Sequence, residues 1–259
     1  MLLALALPVL AGLGWMAWQA APRSYLAINT GALALGLGWI GFGRLPGAKW
    51  PRRILALLLL AVLALPLATG PELSGVARWV PLGPVMLHAG MVALPLLSVL
   101  AASDRPYAAP ILLTALLLAL LQPDAASAFA VTFACVGLHH VTQDWRLGVA
   151  AIVGFFAAIA AALRGELPAQ PFVERVLVEA TAIAPIAALA LFATLLAALL
   201  LIVFAAPIER GGRYSLAGTL FGFAVTAIMS NYPSPLLGYG AAPILGYALA
   251  LVDCRTDTP

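Results

Sequence analysis

Long apolar runs separated by short polar connections occupy almost the whole chain. A helix that crosses a bilayer needs about 20 mostly apolar residues, and many of these runs approach that length. The connections contain turn-forming residues such as Pro123, Asp124 and Pro233, which favour helix ends over helix interiors. The pattern predicts roughly ten spans, near residues 2–20, 25–43, 54–69, 83–102, 107–121, 125–141, 147–163, 180–206, 214–230 and 235–252. If two neighbouring spans were a single one, the count would be nine.

The predicted fold class is therefore all-α, a polytopic bundle of about ten transmembrane helices that forms a single integral membrane domain over residues 1–259. The chain is 64% hydrophobic and 9% charged, whereas a soluble domain is about one quarter charged. This composition excludes an ordinary cytoplasmic enzyme, a disordered chain and a nucleic-acid-binding protein. The first run follows no basic segment, so we expect a retained helix rather than a cleaved signal peptide.

The positions of Lys and Arg predict the orientation, because cytoplasmic loops of membrane proteins carry an excess of both. With the N-terminus inside, the inner connections and the tail carry Arg44, Lys49, Arg52, Arg53, Arg105, Arg146, Arg210, Arg213 and Arg255. The outer connections carry Arg23, Arg78, Arg164 and Arg175. The sequence thus predicts that both termini are cytoplasmic.

Arg78 and Trp79, which precede the fourth predicted span, are candidate functional residues. A charge near membrane depth costs several kcal/mol unless it is paired or hydrated. In one interpretation the pair is an interfacial anchor, with Arg78 on a lipid phosphate and Trp79 in the headgroup belt. In the other, the guanidinium binds an anionic ligand through its fixed fork of donors.

Three carboxylates lie at predicted outer helix ends. Asp124, next to Gln122, is expected to cap the following helix, a role that also allows it to face a polar groove. Glu174 is expected to face solvent. Glu179 precedes a long uncharged run, so we expect it to have a partner inside the bundle.

The histidines do not form a chelating pattern. His139 and His140 are adjacent, so their side chains point about 100° apart on a helix, and His88 lies at the opposite predicted face of the membrane. We therefore predict no metal or haem site. Cys135 and Cys254 form no CxxC motif, and the predicted topology places both on the reduced, inner side.

The stretch 231–243 contains three prolines and two glycines and predicts irregular or broken helix. Such backbone is tolerated in a membrane only where protein or a hydrated cavity satisfies its polar groups. One interpretation is a re-entrant turn with structural tyrosines. The favoured one is a wall of a binding cavity that includes Pro235 and Tyr239.

The order of these motifs resembles the SEDS family of FtsW, RodA and SpoVE. The matching pieces are Gly75-Val76-Ala77-Arg78-Trp79 with Leu82-Gly83, Leu121-Gln122-Pro123-Asp124, Leu167-Pro168 with Phe172 and Glu179, and Pro233-Ser234-Pro235 with Tyr239-Gly240. They cover the chain from about residue 54 to 252, and the predicted helix count and orientation agree with the family.

The resemblance implies a peptidoglycan glycosyltransferase of cell division or cell shape. Such proteins polymerise lipid II on the outer face of the bacterial inner membrane, with a class B penicillin-binding protein as partner. The implied binding site for a polyprenyl-linked substrate comprises Arg78, Trp79, Gln122, Asp124, Glu179, Pro235 and Tyr239. Arg78 would contact the pyrophosphate. No cofactor is predicted, other than a divalent cation that could accompany the pyrophosphate.

The chain departs from the family pattern in a connection that matters for catalysis. The family carries its proposed catalytic Asp in a long outer loop between helices 7 and 8. Here sixteen residues, 164–179, join these spans and contain no Asp. Candidate bases are then Asp124, Glu166 and Glu179, and no catalytic residue is assigned. The alternatives are a non-catalytic membrane scaffold or partner subunit, and a carrier of a lipid-linked substrate.

Overall fold

The computed structural model describes residues 1–83, 85–165 and 167–252. In this part of the chain there are eleven α-helices and one antiparallel two-stranded hairpin. The elements are α1 (Leu2–Trp18), α2 (Arg23–Phe42), α3 (Lys49–Thr69), β1 (Trp79–Leu82), β2 (Val85–His88), α4 (Ala89–Ser103), α5 (Arg105–Leu121), α6 (Ala125–Thr142), α7 (Trp145–Gly165), α8 (Val176–Ile183), α9 (Pro185–Ala205), α10 (Arg210–Met229) and α11 (Ala241–Ala250).

The core of the bundle consists of α4, α6, α10 and α11, and α4 is buried along nearly its whole length. Helix α6 packs along both α7 and α10, while α4 contacts α3, α10 and α11. A Cβ atom at Gly218 or Gly222 of α10 would overlap the backbone carbonyl groups of Phe133 or Phe129 on α6. Small residues let helix backbones approach closely in membranes. The glycines of α10 therefore fix the central crossing of the bundle.

The helices run between two ends of the bundle. The loop-rich end contains the connections 70–83, 85–88, 122–124, 167–175 and 230–240, and the opposite end contains 43–48, 104, 143–144 and 206–209. Leu5 near the start of α1 and Ala248 near the end of α11 both lie against Gly36. The first and the last described helices therefore begin and end at the opposite end, in agreement with termini on one side of a membrane.

Five of the described helices, α2, α3, α6, α7 and α9, are long and apolar enough to cross a membrane by length and composition. The apolar helices α1, α4, α5 and α11 are shorter. Much of the large apolar surface of the bundle faces outward, for example Phe156 and Leu163 on α7. A soluble protein rarely exposes so much contiguous apolar area. The architecture confirms the predicted polytopic helical bundle.

Three predicted spans differ from the structure by more than a shift of a few residues. The fourth begins at Ala89 rather than at residue 83, because the preceding residues pair as β1 and β2, with Trp79 opposite His88. The eighth is divided into α8 and α9 at Ala184, whose φ of −150° is that of extended backbone. The residue before a proline disfavours the helical conformation, and Pro185 follows directly. The tenth begins at Ala241, after irregular backbone over 230–240.

Candidate functional site

Arg78 is completely buried at the loop-rich end, directly before β1. Its guanidinium carbon lies 4.6 Å from the centre of the Trp79 ring and 4.5 Å from the centre of the Tyr232 ring. Two aromatic faces therefore stabilise the cation. The complete burial contradicts the interpretation of Arg78 as an exposed interfacial anchor.

The guanidinium of Arg78 has unused hydrogen-bonding capacity. Its Nη1 donates one long hydrogen bond, 3.5 Å, to the carbonyl oxygen of Gly165. Its Nε and Nη2 have no hydrogen-bond partner among the described residues. A buried donor without a partner costs about 1–3 kcal/mol, and more when it is charged. Two free donors on a buried cation are typical of a group that receives an anionic ligand.

The carboxylate of Asp124 supplies the negative charge near Arg78. It is fully buried and caps α6, since it accepts hydrogen bonds from the backbone N–H of Ser127 (3.2 Å) and from the Ser127 hydroxyl. The predicted N-cap is therefore present. Burial alone would raise the pKa of Asp124, but the adjacent His88 side chain, the charge of Arg78 and the Ser127 hydrogen bond together lower it.

His88, the last residue of β2, joins the hairpin to this cluster. Its Nδ1 accepts a hydrogen bond of 3.3 Å from the backbone N–H of Met91 and so caps α4. Its Nε2 lies 3.5 Å from a carboxylate oxygen of Asp124. The same buried carboxylate therefore lies against His88 and interacts electrostatically with Arg78.

Glu174 and Tyr232 cover the cluster from the two long connections of the loop-rich end. Glu174 is only 5% exposed, and its carboxylate accepts a hydrogen bond from the backbone N–H of Gln170. Burial raises the pKa of Glu174, and the Gln170 hydrogen bond and the charge of Arg78 oppose this rise. The Tyr232 hydroxyl accepts a hydrogen bond of 3.3 Å from the backbone N–H of Ala125.

The remaining sequence-predicted residues lie around this cluster or apart from it. Trp79 contacts Arg78 directly. Gln122 is fully buried and donates to the carbonyl oxygen of Leu63, while its Oε1 has no partner among the described residues. Glu179 lies half-buried in the first turn of α8. The structure thus brings Arg78, Trp79 and Asp124 together.

Pro235 and Tyr239 belong to a separate part of the loop-rich end. Pro235 is buried in the irregular segment, and the Tyr239 ring stacks on the Tyr25 ring of α2, with centroids 3.7 Å apart. Asn29 of α2 holds the same segment, because its amide donates to the Gly238 carbonyl oxygen and accepts from the Gly240 N–H, each at 3.0 Å. No described contact joins Tyr239 to Arg78.

Three residues of the cluster were absent from the predicted site: His88, Glu174 and Tyr232. His88 stood in a run that was predicted to be helical, so its position on a strand was not expected. Glu174 was expected to face solvent and is buried instead. Tyr232 lies in the unusual proline-rich stretch, and that stretch is the signal that could have identified it.

Two further predictions concern residues outside the described part of the chain, the candidate base Glu166 and the inner thiol Cys254. Cys135 is buried in α6 and forms no disulfide. Within the described residues, no group of three or more His, Cys, Asp or Glu side chains is arranged to hold a metal ion.

The fold and the cluster define a class of protein, a multi-pass helical bundle that buries a cation and a carboxylate at one end. Comparison with known proteins narrows the class. The chain is 35% identical over 150 residues to a probable peptidoglycan glycosyltransferase FtsW of Halorhodospira halophila, and the match covers 50% of this chain and 38% of that protein. No family model matches the chain.

Solved structures share the fold over nearly the whole length. A chain of a peptidoglycan synthase complex aligns with a TM-score of 0.66 and 22% identity, covering 96% of this chain and 94% of that chain. RodA of Thermus thermophilus, a rod shape determining protein, aligns with a TM-score of 0.61 and 23% identity, covering 96% and 93%. The chain is therefore similar in sequence to a probable FtsW over part of its length, and it shares the fold of RodA, which agrees with the resemblance indicated by its motifs.

Proposed function

We propose that this protein acts in peptidoglycan synthesis, in cell division or cell shape, as a multi-pass protein of the bacterial inner membrane. In this proposal it binds a polyprenyl-linked sugar pyrophosphate at the loop-rich end. The similarity to FtsW and the RodA-like fold support the biological setting. Because the match covers little of the curated relative's length, the binding activity has to be argued from the residues themselves.

The observation that carries the proposal is the Arg78 guanidinium, which is fully buried and has two nitrogen atoms, Nε and Nη2, without a partner among the described residues. A guanidinium presents planar, paired donors that match the oxygens of a phosphate better than an ammonium does. The π faces of Trp79 and Tyr232 hold this cation, while its Nε and Nη2 have no partner among the described residues. Arg78 is thus oriented and left free to donate.

Access to Arg78 requires a movement, because no part of the side chain is exposed. We propose that the β1–β2 hairpin or the connection at 167–175 moves aside when the substrate enters. Asp124 would then keep Arg78 in place and provide a ligand for a divalent cation that accompanies the pyrophosphate. Gln122, Glu179, Pro235 and Tyr239 would line the remainder of the opened site.

We further propose that the protein does not polymerise lipid II at the rate of full-length FtsW or RodA. A general base must reach the acceptor hydroxyl within hydrogen-bond distance. The connection between α7 and α8 contains no Asp, and Glu174 is already held by the backbone of Gln170. The role that this favours is binding of the substrate within a complex with a class B penicillin-binding protein.

Binding can be tested with the purified protein and undecaprenyl pyrophosphate in detergent, followed by native mass spectrometry. We expect Arg78→Gln to weaken binding by tenfold or more, about the loss for one charge-assisted hydrogen bond. Arg164→Gln is the matched control, because Arg164 lies at the same end and is exposed. Equal losses in both variants would show non-specific charge attraction and contradict the proposal.

Polymerisation is tested separately, with labelled lipid II and a cognate penicillin-binding protein that has no transferase activity of its own. We expect no long glycan strands on a gel. Strands that form with the unmodified chain and disappear with Glu166→Ala would show that the short connection supplies a base, and the non-catalytic role would be wrong.

A further inference from the structure

A charged cavity lies at the opposite end of the bundle, far from Arg78. It occupies about 170 Å³ between the start of α3, the end of α4 and the start of α5. Its charged lining consists of Lys49, Arg52, Arg53 and Asp104. A volume of this size accommodates several water molecules, at about 30 Å³ each, and hence a phosphate group.

The cavity has an excess of positive charge. The only carboxylate of its lining, Asp104, pairs with Arg53, whose Nε lies 2.6 Å from Oδ2. Arg53 also lies over the ring of Tyr107, 4.4 Å from its centre. Arg53 is therefore satisfied, and the charges of Lys49 and Arg52 have no compensating carboxylate in the lining. The cavity favours an anion.

Arg52 is held in position and has a free donor. Its Nε donates a hydrogen bond of 2.6 Å to the carbonyl oxygen of Pro46, which fixes the guanidinium against the α2–α3 connection. Its Nη2 is buried and has no hydrogen-bond partner among the described residues. An acceptor inside the cavity would satisfy this donor.

The residues around the cavity indicate that the anion is the headgroup of a lipid. The exposed aromatic residues Phe42 and Trp50 lie at the same end, where such rings mark the headgroup level of a bilayer. Below Trp50, the exposed side chains Ile54, Leu57 and Leu58 form an apolar stripe along α3. The stripe marks the acyl region of a bilayer, and it lies on a different face of α3 from the cavity-lining residues Lys49, Arg52 and Ala56. The cavity itself therefore lies at the level of the headgroups, where lipid phosphates are found.

We propose that the cavity binds the phosphate of an anionic phospholipid from the leaflet at the opposite end. Lys49 and Arg52 contact the phosphodiester, and the acyl chains extend from the cavity into the bilayer. The bound lipid holds the α2–α3 connection against α4 and α5. This site is independent of the substrate proposed at the loop-rich end.

The test uses the purified chain in neutral detergent, titrated with phosphatidylglycerol and followed by native mass spectrometry and thermal unfolding. We expect bound lipid and a raised Tm, since a ligand that binds only the folded state stabilises it. Arg52→Gln should weaken binding about tenfold or more. Arg44→Gln is the matched control, because it removes one charge from the exposed α2–α3 connection outside the cavity lining.

Several results would overturn the proposal. One is an equal loss of binding in Arg44→Gln and Arg52→Gln, which would indicate attraction to the whole basic end. Another is equal stabilisation by phosphatidylcholine, and a third is equal stabilisation by inorganic phosphate, which would show a free anion as the ligand. If Arg52→Gln does not fold, Lys49→Gln takes its place, and unchanged phosphatidylglycerol binding in that variant would equally contradict the site.

Discussion

The two ends of the bundle differ in the solvent exposure of their charged side chains. At the opposite end, Asp144 and Arg146 form an ion pair of 2.6 Å whose side chains are 20% and 43% exposed, so water shares the work of solvation. At the loop-rich end, Arg78 and Asp124 are completely buried. Exposed pairs contribute little to stability, whereas buried charges impose a large desolvation cost. The burial of two charged side chains at the loop-rich end is therefore not explained by packing alone.

The largest expected effect is a difference in thiol labelling between the two ends, which reports which end faces outward. Eight of the described Lys and Arg residues lie toward the opposite end and four toward the loop-rich end, so we expect the opposite end to be cytoplasmic. Glu72→Cys and Arg44→Cys place exposed thiols at the two ends. An impermeant thiol reagent added to intact cells should label only Glu72→Cys. Labelling of Arg44→Cys alone would reverse the orientation.

The next effect is on stability. Asp124→Asn removes one of the two buried carboxylates whose charge acts on Arg78. Loss of the partner of a buried charge costs up to about 3–5 kcal/mol. We expect the apparent Tm in detergent to fall by about 10 °C or more. Asp144→Asn, at the opposite end, should change it little, because that carboxylate is partly solvated.

A double variant tests whether the loss of stability comes from leaving Arg78 without Asp124. Arg78→Met combined with Asp124→Leu removes both charges, and we expect it to be less destabilised than Asp124→Asn alone. Similar losses in Asp124→Asn and Asp144→Asn would mean that the two ends do not differ as the structure indicates.

The smallest effect is a pH dependence at Glu174. Burial raises its pKa, so the folded state binds the proton more tightly than the unfolded state does. Stability from this group is then present at acid pH and decreases as the pH rises through the raised pKa. Glu174→Gln should raise the apparent Tm at neutral pH by a few degrees at most and flatten this dependence. A lower Tm at neutral pH would show that Arg78 needs both carboxylates.

The sequence predicted the bundle well because apolar runs of this length have few alternatives in a chain so poor in charge. It did not reveal the β1–β2 hairpin. Val85, Met86 and Leu87 are apolar and continuous with α4, so hydrophobicity cannot distinguish a strand from the first helical turns. The break at Ala184 was also missed, although the following Pro185 is a local signal for it.

The sequence predicted only part of the candidate site, because local patterns do not show which side chains face inward. Arg78 and Asp124 were expected at the same end, and the structure places them in one buried cluster. The proline-rich stretch was recognised as irregular, but two tyrosines lie within it. Tyr232 turns toward Arg78 and Tyr239 toward Tyr25. Which of the two faces inward depends on tertiary packing, and no local pattern encodes it.

The amide of Asn29 has a consequence for the order of assembly. It is 1% exposed and makes the two hydrogen bonds, to Gly238 and from Gly240, that a neighbouring strand would otherwise provide. During synthesis α2 leaves the ribosome long before the 230–240 segment, since chains emerge from the N-terminus. Helix α2, which carries Asn29, is therefore already in the bilayer when the 230–240 segment is synthesised. We expect the 230–240 segment to reach its final conformation only after it contacts this side chain, which precedes it by some two hundred residues.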